Sequence, residues 1–258
     1  MRLMKRILSA AAVLALSASL LVGCSSGTAS SVPVSASSAA ESTVSSVEET
    51  ASSAVDENEA AAAQLLNDLT GSYQELWPVI LADEYKQTWL DDCTALVGED
   101  NAEAAFEKLS SMVTGDVYGE DAVKAYANGG GAYFCGFTNS LAILTFDGET
   151  STISGTDKDG NMLFSHTYHY IGMEPVRGLY EFQSDDADSG EFTYFFLAPD
   201  TSAETYHIEF RYGSDAEALS QYDTGEYAYW LASGISTDCD QTMIDNGIEL
   251  FCTENLAG

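Results

Sequence analysis

The chain has 258 residues, with 41 acidic and nine basic side chains and a formal net charge of −32. So acidic a surface repels nucleic acid and anionic lipid headgroups, and it favours cations or cationic partners. Tyrosine, phenylalanine and tryptophan make up 11% of the residues, which is enough to build a core where they are concentrated. Composition therefore excludes a nucleic-acid-binding protein and indicates a folded domain that attracts positive ligands.

The amino terminus has the pattern of a lipoprotein signal. Three basic residues among the first six precede an apolar run at 7–22, and the letters LVGC at 21–24 resemble the bacterial lipobox. We therefore expect residues 1–23 to be a signal peptide. Cys24 would become the lipidated first residue of a chain anchored to the cell membrane on its extracytoplasmic side. An ordinary secretory signal with an incidental cysteine is the alternative.

A change of composition marks the boundary between a linker and the folded domain. Residues 24–60 are mostly serine, alanine, threonine and acidic residues. Such a segment buries too little apolar surface to offset its conformational entropy, so we expect a disordered linker. Residues 61–258 then form a single domain.

Four cysteines fall within this domain, at Cys93, Cys135, Cys239 and Cys252. An exported location permits disulfides, and four cysteines allow three pairings that the sequence does not rank. None has the Cys-x-x-Cys spacing, so neither a zinc knuckle nor a thioredoxin-type redox motif is indicated.

Helical periodicity dominates the first half of the domain. The segments AAAQLLNDL and DEYKQTWLDDCTALVG are amphipathic, and the second ends at Gly98. Two further helices are predicted in DNAEAAFEKLSSMVTG and GEDAVKAYANGGG, both of which also stop at glycine.

From residue 133 the apolar period changes to two, which is typical of strands. A turn at TDKDGN and a short helix capped by Ser214 interrupt the pattern, and a last helix is expected from about Asp238. Six or seven strands at regular spacing predict a mainly β fold, a small antiparallel barrel with N-terminal and flanking helices. The predicted strands are YFCGF, LAILTFD, STISGTD, MLFSHTYHYIG, GLYEFQS, EFTYFFLAP and ETYHIEFRYG.

Three motifs resemble, in their order, the ZinT (YodA) family of exported zinc-binding proteins with a calycin (lipocalin-like) barrel. They are LTGSYQELWPVI at 69–80, YHYIG at 168–172 and TYHIEFRYGSDAEAL at 205–219. The resemblance covers roughly residues 60–258. It implies a calycin barrel, zinc as the bound ion, and a zinc transporter's solute receptor as a partner, since the family also occurs fused behind such receptors.

The family holds zinc with three histidines, and this chain retains one of them. Phe195 and Thr205 occupy two of the ligand positions, and His207 occupies the third. The resemblance therefore implies that His207 is a ligand and faces a polar barrel interior. The only other histidines in the chain, His166 and His169, are the expected substitutes, and they would have to converge on His207.

Strand geometry limits which side chains can join His207. Glu209 lies two residues further on, so both side chains point the same way on a regular strand. His166 and His169 are three residues apart and point to opposite faces unless a β-bulge separates them. The sequence leaves open whether one or both contribute, with Glu209 or water completing a tetrahedral shell.

A second hypothesis explains the same alternation without a metal. A half-buried strand whose polar side faces solvent shows the same alternation as a strand that carries metal ligands. In that case the barrel would bind a small apolar ligand or a protein partner. An interior lined by Tyr168, Tyr206 and Phe210, with all three histidines outside, would favour it. The sequence has no Gly-x-Ser-x-Gly, phosphate-binding loop or His-Glu-x-x-His motif, so we expect a binding protein rather than an enzyme.

Overall fold

The computed structural model describes residues 57–127 and 129–257. The predicted signal peptide, Cys24 and most of the predicted linker lie outside these residues. The strands are β1 (Gly71–Glu75), β2 (Ile143–Asp147), β3 (Thr152–Thr156), β4 (Met162–Met173), β5 (Tyr180–Ser184), β6 (Tyr194–Leu197), β7 (Ile208–Gly213) and β8 (Ala232–Ser236). The helices are α1 (57–68), α2 (Leu76–Ile80), α3 (Lys86–Val97), α4 (Glu99–Val113), α5 (Glu120–Ala125), α6 (Ser202–Thr205), α7 (Ala216–Leu219) and α8 (Gln241–Leu256).

The eight strands form one closed antiparallel barrel, which confirms the predicted fold class. Each strand pairs with its neighbours in the chain, and β1 closes the barrel against β8. The sequence missed these two closing strands, because GSYQE is short and polar and ASGIS is made of small residues. The predicted strand YFCGF is wrong, since only Phe134 in it forms isolated bridges.

Aromatic rings fill the barrel interior. The pairing register aligns Tyr170, Phe182, Phe195 and Tyr212 across four consecutive strands. The rings of Phe195 and Tyr212 lie 5.3 Å apart, and those of Tyr170 and Phe182 lie 6.2 Å apart. Such contacts add to the free energy gained by burying the rings, about 0.5–1.5 kcal/mol for each aromatic pair.

One phenol in this interior fixes the loop before β2. Tyr212 is fully buried, and its hydroxyl accepts a hydrogen bond from the backbone N–H of Thr138 at 2.6 Å. It also donates to the carbonyl of the same residue at 2.9 Å. Burial raises the pKa of Tyr212, so the hydroxyl stays neutral and retains the proton that it donates.

A helical layer covers the outer wall of the barrel at β8. Ile244, Ile248 and Cys252 recur every four residues along α8 and are buried, which places one stripe of this helix in the layer. Their cluster also contains Trp89 from α3 and Ile235 from β8. No helix in the described part of the chain is both long enough and apolar enough to cross a membrane.

Two predicted boundaries need correction. The cap of α7 is Asp215, not Ser214, because the Asp215 carboxylate accepts from the backbone N–H groups of Glu217 and Ala218. Residues 57–60, predicted as the end of the linker, form the first turn of α1.

We predict that Tyr212→Phe lowers the free energy of unfolding by about 1–3 kcal/mol, because the partly buried Thr138 N–H loses its acceptor. Urea unfolding of the full chain measures this change. Tyr194→Phe is the matched control, since none of the hydrogen bonds among the described residues uses the Tyr194 hydroxyl. Equal losses in the two variants would show that the hydroxyl of Tyr212 contributes nothing special.

Candidate functional site

The structure separates the three histidines along the barrel. The register pairs His169 with Gln183, Gln183 with Tyr194, and Tyr194 with Gly213. His169 is therefore level with Gly213, which lies six residues beyond His207. At roughly 3.3 Å per residue, His169 and His207 are about 20 Å apart along the strand direction. His166 lies three residues further away in the same direction. The predicted convergence of His166 and His169 on His207 is therefore wrong.

His166 and His169 point to opposite faces of β4, as strand parity predicts. The ring of His166 lies 5.9 Å from that of Phe164, and its side chain is 16% exposed. The side chain of His169 is 53% exposed. Register shifts on this strand lie between Met162 and Phe164 and between Tyr170 and Gly172. One precedes and the other follows the two histidines, so neither brings them to one face.

Each of these two imidazoles has a carboxylate partner in the acidic turn after β5. The Nδ1 atom of His166 lies 2.7 Å from Asp186, and that of His169 lies 2.6 Å from Asp185. A carboxylate behind an imidazole also occurs in metal sites, where it orients the ligand. Here the two rings face different ways, so each pair ties β4 to the turn without forming a common ligand shell.

A left-handed residue before β7 sets the direction of His207. Helix α6 makes a single turn, and Tyr206 then adopts φ 64° and ψ 0°, a conformation that costs about 1–3 kcal/mol outside glycine. This turn brings the carbonyl of Thr205 to 2.6 Å from His207 Nδ1. A carbonyl only accepts, so Nδ1 carries the proton and the neutral ring keeps a lone pair on Nε2.

His207 faces the outside of the barrel, which corrects the expectation that it faces a polar interior. Ile208 and Phe210 are buried in the core, and alternation along β7 turns His207 and Glu209 to the opposite side. The interior is aromatic at this level, so it offers no polar cavity to an imidazole.

His207 and Glu209 meet the helical layer at a small cleft between β7 and α8, which we call the β7–α8 cleft. It has a volume of about 70 Å³. Glu254 from α8 is the third ionisable group that lines it, and the rings of Trp77 and Phe251, whose centroids are 4.8 Å apart, form an apolar wall. The remaining lining residues are Leu76, Ile80, Gly247 and Leu250.

The cleft carries an excess of negative charge. Glu254 is exposed as a whole residue, but partial loss of water around its carboxyl group is the largest cause that raises its pKa. His207 lowers this pKa, and the negative charges of Glu209 and Asp200 raise it further. Within residues 57–127 and 129–257, no ion pair involves Glu209 or Glu254. The cleft therefore has a field that favours a cation next to the Nε2 lone pair.

The side chains that line the cleft do not yet form a ligand shell. Over the described part of the chain, no three His, Cys, Asp or Glu side chains are close enough together to hold a metal ion as they stand. Glu254 is exposed and free to change rotamer, so a bound ion would have to draw its carboxylate toward His207.

Of the three ionisable residues that line the cleft, the sequence predicted His207 and Glu209 as candidates and did not point to Glu254. The segment TENL near the end of α8 has no histidine nearby and no ligand spacing. The carboxylate reaches β7 only because α8 packs its apolar stripe against the outer layer. No local pattern in the sequence reports that packing.

The chain is similar to several solved structures, including two with bound zinc. No family model and no curated protein matches the chain. The chain is similar to the Zn(II)-bound ZinT-like domain of Streptococcus pneumoniae AdcA, with 15% identity and a TM-score of 0.45, over 72% of this chain and 89% of that one. It is also similar to Zn(II)-bound AdcA from the same organism, with 15% identity and a TM-score of 0.42, over 75% of this chain and 35% of that one. The barrel is established by the strand pairing itself.

We predict that Glu254→Gln raises the melting temperature of the metal-free protein at neutral pH by about 1 °C, the size of effect expected at an exposed position. The raised pKa means that ionised Glu254 destabilises the folded state, and this penalty disappears as pH falls through the folded-state pKa. The gain should therefore shrink toward about pH 4, near the ordinary range of carboxyl groups. Thermal unfolding at several pH values measures it.

The control for this experiment is Glu149→Gln, which removes the same charge from an exposed turn between β2 and β3, remote from the cleft. A lower melting temperature for Glu254→Gln than for the control at neutral pH would show that ionised Glu254 does not destabilise the folded state.

Proposed function

We propose that this protein is a lipid-anchored, extracytoplasmic zinc-binding protein that captures or buffers zinc as its cargo at the β7–α8 cleft. His207 supplies the imidazole nitrogen, Glu209 and Glu254 supply carboxylate oxygens, and water completes the shell. Zinc is held and released rather than used to activate water.

The observation that carries this proposal is that the imidazole of His207 lines one cleft together with Glu209 and Glu254. Among the described residues, neither carboxylate has an ion-pair partner. Zinc accepts nitrogen and carboxylate ligands in a tetrahedral arrangement. Calcium and magnesium prefer shells made of oxygen alone, so the imidazole of His207 favours zinc over both. The resemblance of the sequence motifs to a zinc-binding family supports the same choice.

The overall charge supports capture from dilute solution. A net charge of −32 raises the local concentration of cations at the surface, an effect that falls with ionic strength. A tethered protein of this kind would hold zinc near the membrane, where the solute receptor of an uptake transporter could receive it.

Binding of an apolar ligand inside the barrel has less support. Tyr168 and Phe210 do lie in the interior, but Tyr206 lies beside Gly247 of α8 and not among the core residues. The interior rings are already in contact with one another. The condition for this second hypothesis is therefore met only in part, and we favour the cleft.

We predict that zinc raises the melting temperature of the full chain and that His207→Ala weakens zinc binding at least tenfold, as loss of one ligand should do. His169→Ala is the matched control, because this imidazole is exposed and lies at the other end of the barrel. Native mass spectrometry gives the stoichiometry, with one ion expected per chain, and competition with a chelating dye gives the affinity.

Two results would count against the cleft. A melting temperature that does not respond to zinc would refute zinc binding altogether. A loss in His169→Ala as large as that in His207→Ala would place the ion at the acidic turn after β5.

We predict that Cys24→Ser releases the protein from the membrane fraction of the expressing cells, because the lipid attachment point is lost. Immunoblots of membrane and soluble fractions follow the change, with the wild-type chain as the reference. Equal membrane association of both chains would refute a lipid anchor at this position.

A further inference from the structure

Two buried cysteines are in contact across the helical layer. The Sγ atoms of Cys93 on α3 and Cys252 on α8 lie 3.9 Å apart, and both residues are completely buried. The contact joins positions 159 residues apart in the sequence. Small changes of the two side-chain torsions would bring the sulfur atoms within bonding distance.

We propose that Cys93 and Cys252 form a disulfide bond in the exported protein, which covalently joins α3 to α8. The structure thereby selects one of the three pairings that the sequence left open. The oxidant is a disulfide-bearing exchange partner, such as oxidised glutathione in the test tube or a thiol oxidoreductase in the cell. One protein thiolate attacks the partner's disulfide and releases a thiol, and the second protein thiolate then displaces the other. Two protein thiols are thus oxidised to one disulfide, and one partner disulfide is reduced to two thiols.

The other two described cysteines are placed differently. Cys135 lies before β2, next to Phe134 with its isolated bridges. Its Sγ atom is 3.8 Å from the carbonyl of Tyr133. Cys239 is half-buried in the turn between β8 and α8. Among residues 57–127 and 129–257, the only contact between two cysteine sulfur atoms is that of Cys93 with Cys252.

Burial determines when this bond forms. Desolvation is the first cause that raises the pKa of the Cys93 and Cys252 thiols, so the folded protein presents little reactive thiolate. Exchange should therefore take place while the chain folds or when α8 detaches briefly. Once formed, the bond is shielded from reductants by the same burial.

The bond would also hold one wall of the β7–α8 cleft in place. Cys252 follows Phe251 directly and precedes Glu254 by two residues, and both neighbours line the cleft. This consequence rests on the proposed function. The disulfide itself rests only on export into an oxidising compartment.

The test is a disulfide map of the full chain. The protein is purified from its native compartment without reductant, free thiols are alkylated, and a proteolytic digest is analysed by mass spectrometry. A second sample is reduced in denaturant and refolded with oxidised and reduced glutathione. We expect a cross-linked pair of peptides that contain Cys93 and Cys252 in both samples, with Cys135 and Cys239 alkylated.

Thermal unfolding supplies an independent measurement. The oxidised protein should melt about 5–15 °C above the reduced and refolded protein, given the usual stabilisation by a disulfide in a domain of this size. Cys93→Ser should abolish the difference, and Cys239→Ser should leave it unchanged. If Cys93→Ser does not fold, the peptide map of the wild-type chain decides alone.

A map with another pairing, or with both Cys93 and Cys252 alkylated after refolding in the glutathione buffer, would overturn the proposal. These outcomes are independent of the zinc titration. A mapped disulfide without zinc binding would refute the proposed function only, and zinc binding without the disulfide would refute this inference only.

Discussion

The aromatic packing inside the barrel is the constraint on which the rest of the structure depends. Tyr168, Phe195, Phe210 and Tyr212 occupy the interior with rings in mutual contact, so little space remains there for water or a ligand. Protein interiors packed in this way tolerate few changes of volume. Polar and charged side chains therefore lie on the outer wall and at the barrel ends rather than in the interior.

The outer wall forms one side of the β7–α8 cleft where the helical layer covers it. Alternation along β7 sends every second side chain outward, and α8 provides the opposite wall of the cleft. The Trp77 and Phe251 rings keep part of the cleft dry, which strengthens electrostatic interactions there relative to open solvent. His207 enters this environment with its proton fixed on Nδ1 by Thr205. The backbone turn at Tyr206, a costly conformation for a tyrosine, is what permits that arrangement.

The sequence predicts the parts of this protein that depend on short-range patterns. The period of two in β4 predicted correctly that His166 and His169 would face opposite ways, and glycines marked the ends of α3 and α4. The sequence did not predict which residues from distant segments come into contact. The separation of His169 from His207 depends on the registers of three successive strand pairs. The residues near either histidine do not determine these registers. The position of Glu254 likewise depends on how α8 packs, which its apolar stripe permits but does not specify.

Closure of the barrel has a consequence for how the protein is made. Strand β1 needs β8 as its partner, and the register joins Tyr73 to Ser236, so the first strand of the domain cannot complete its hydrogen bonds until almost the whole domain has been synthesised. Contacts between such distant positions slow folding, because the entropy of closing a long loop must be lost before the contact is gained. A chain that emerges with its amino terminus first, from a ribosome or a translocation channel, therefore remains without a barrel until its last strand arrives. Because β1 pairs with β8, truncation before β8 removes a partner that the barrel needs and costs the entire fold.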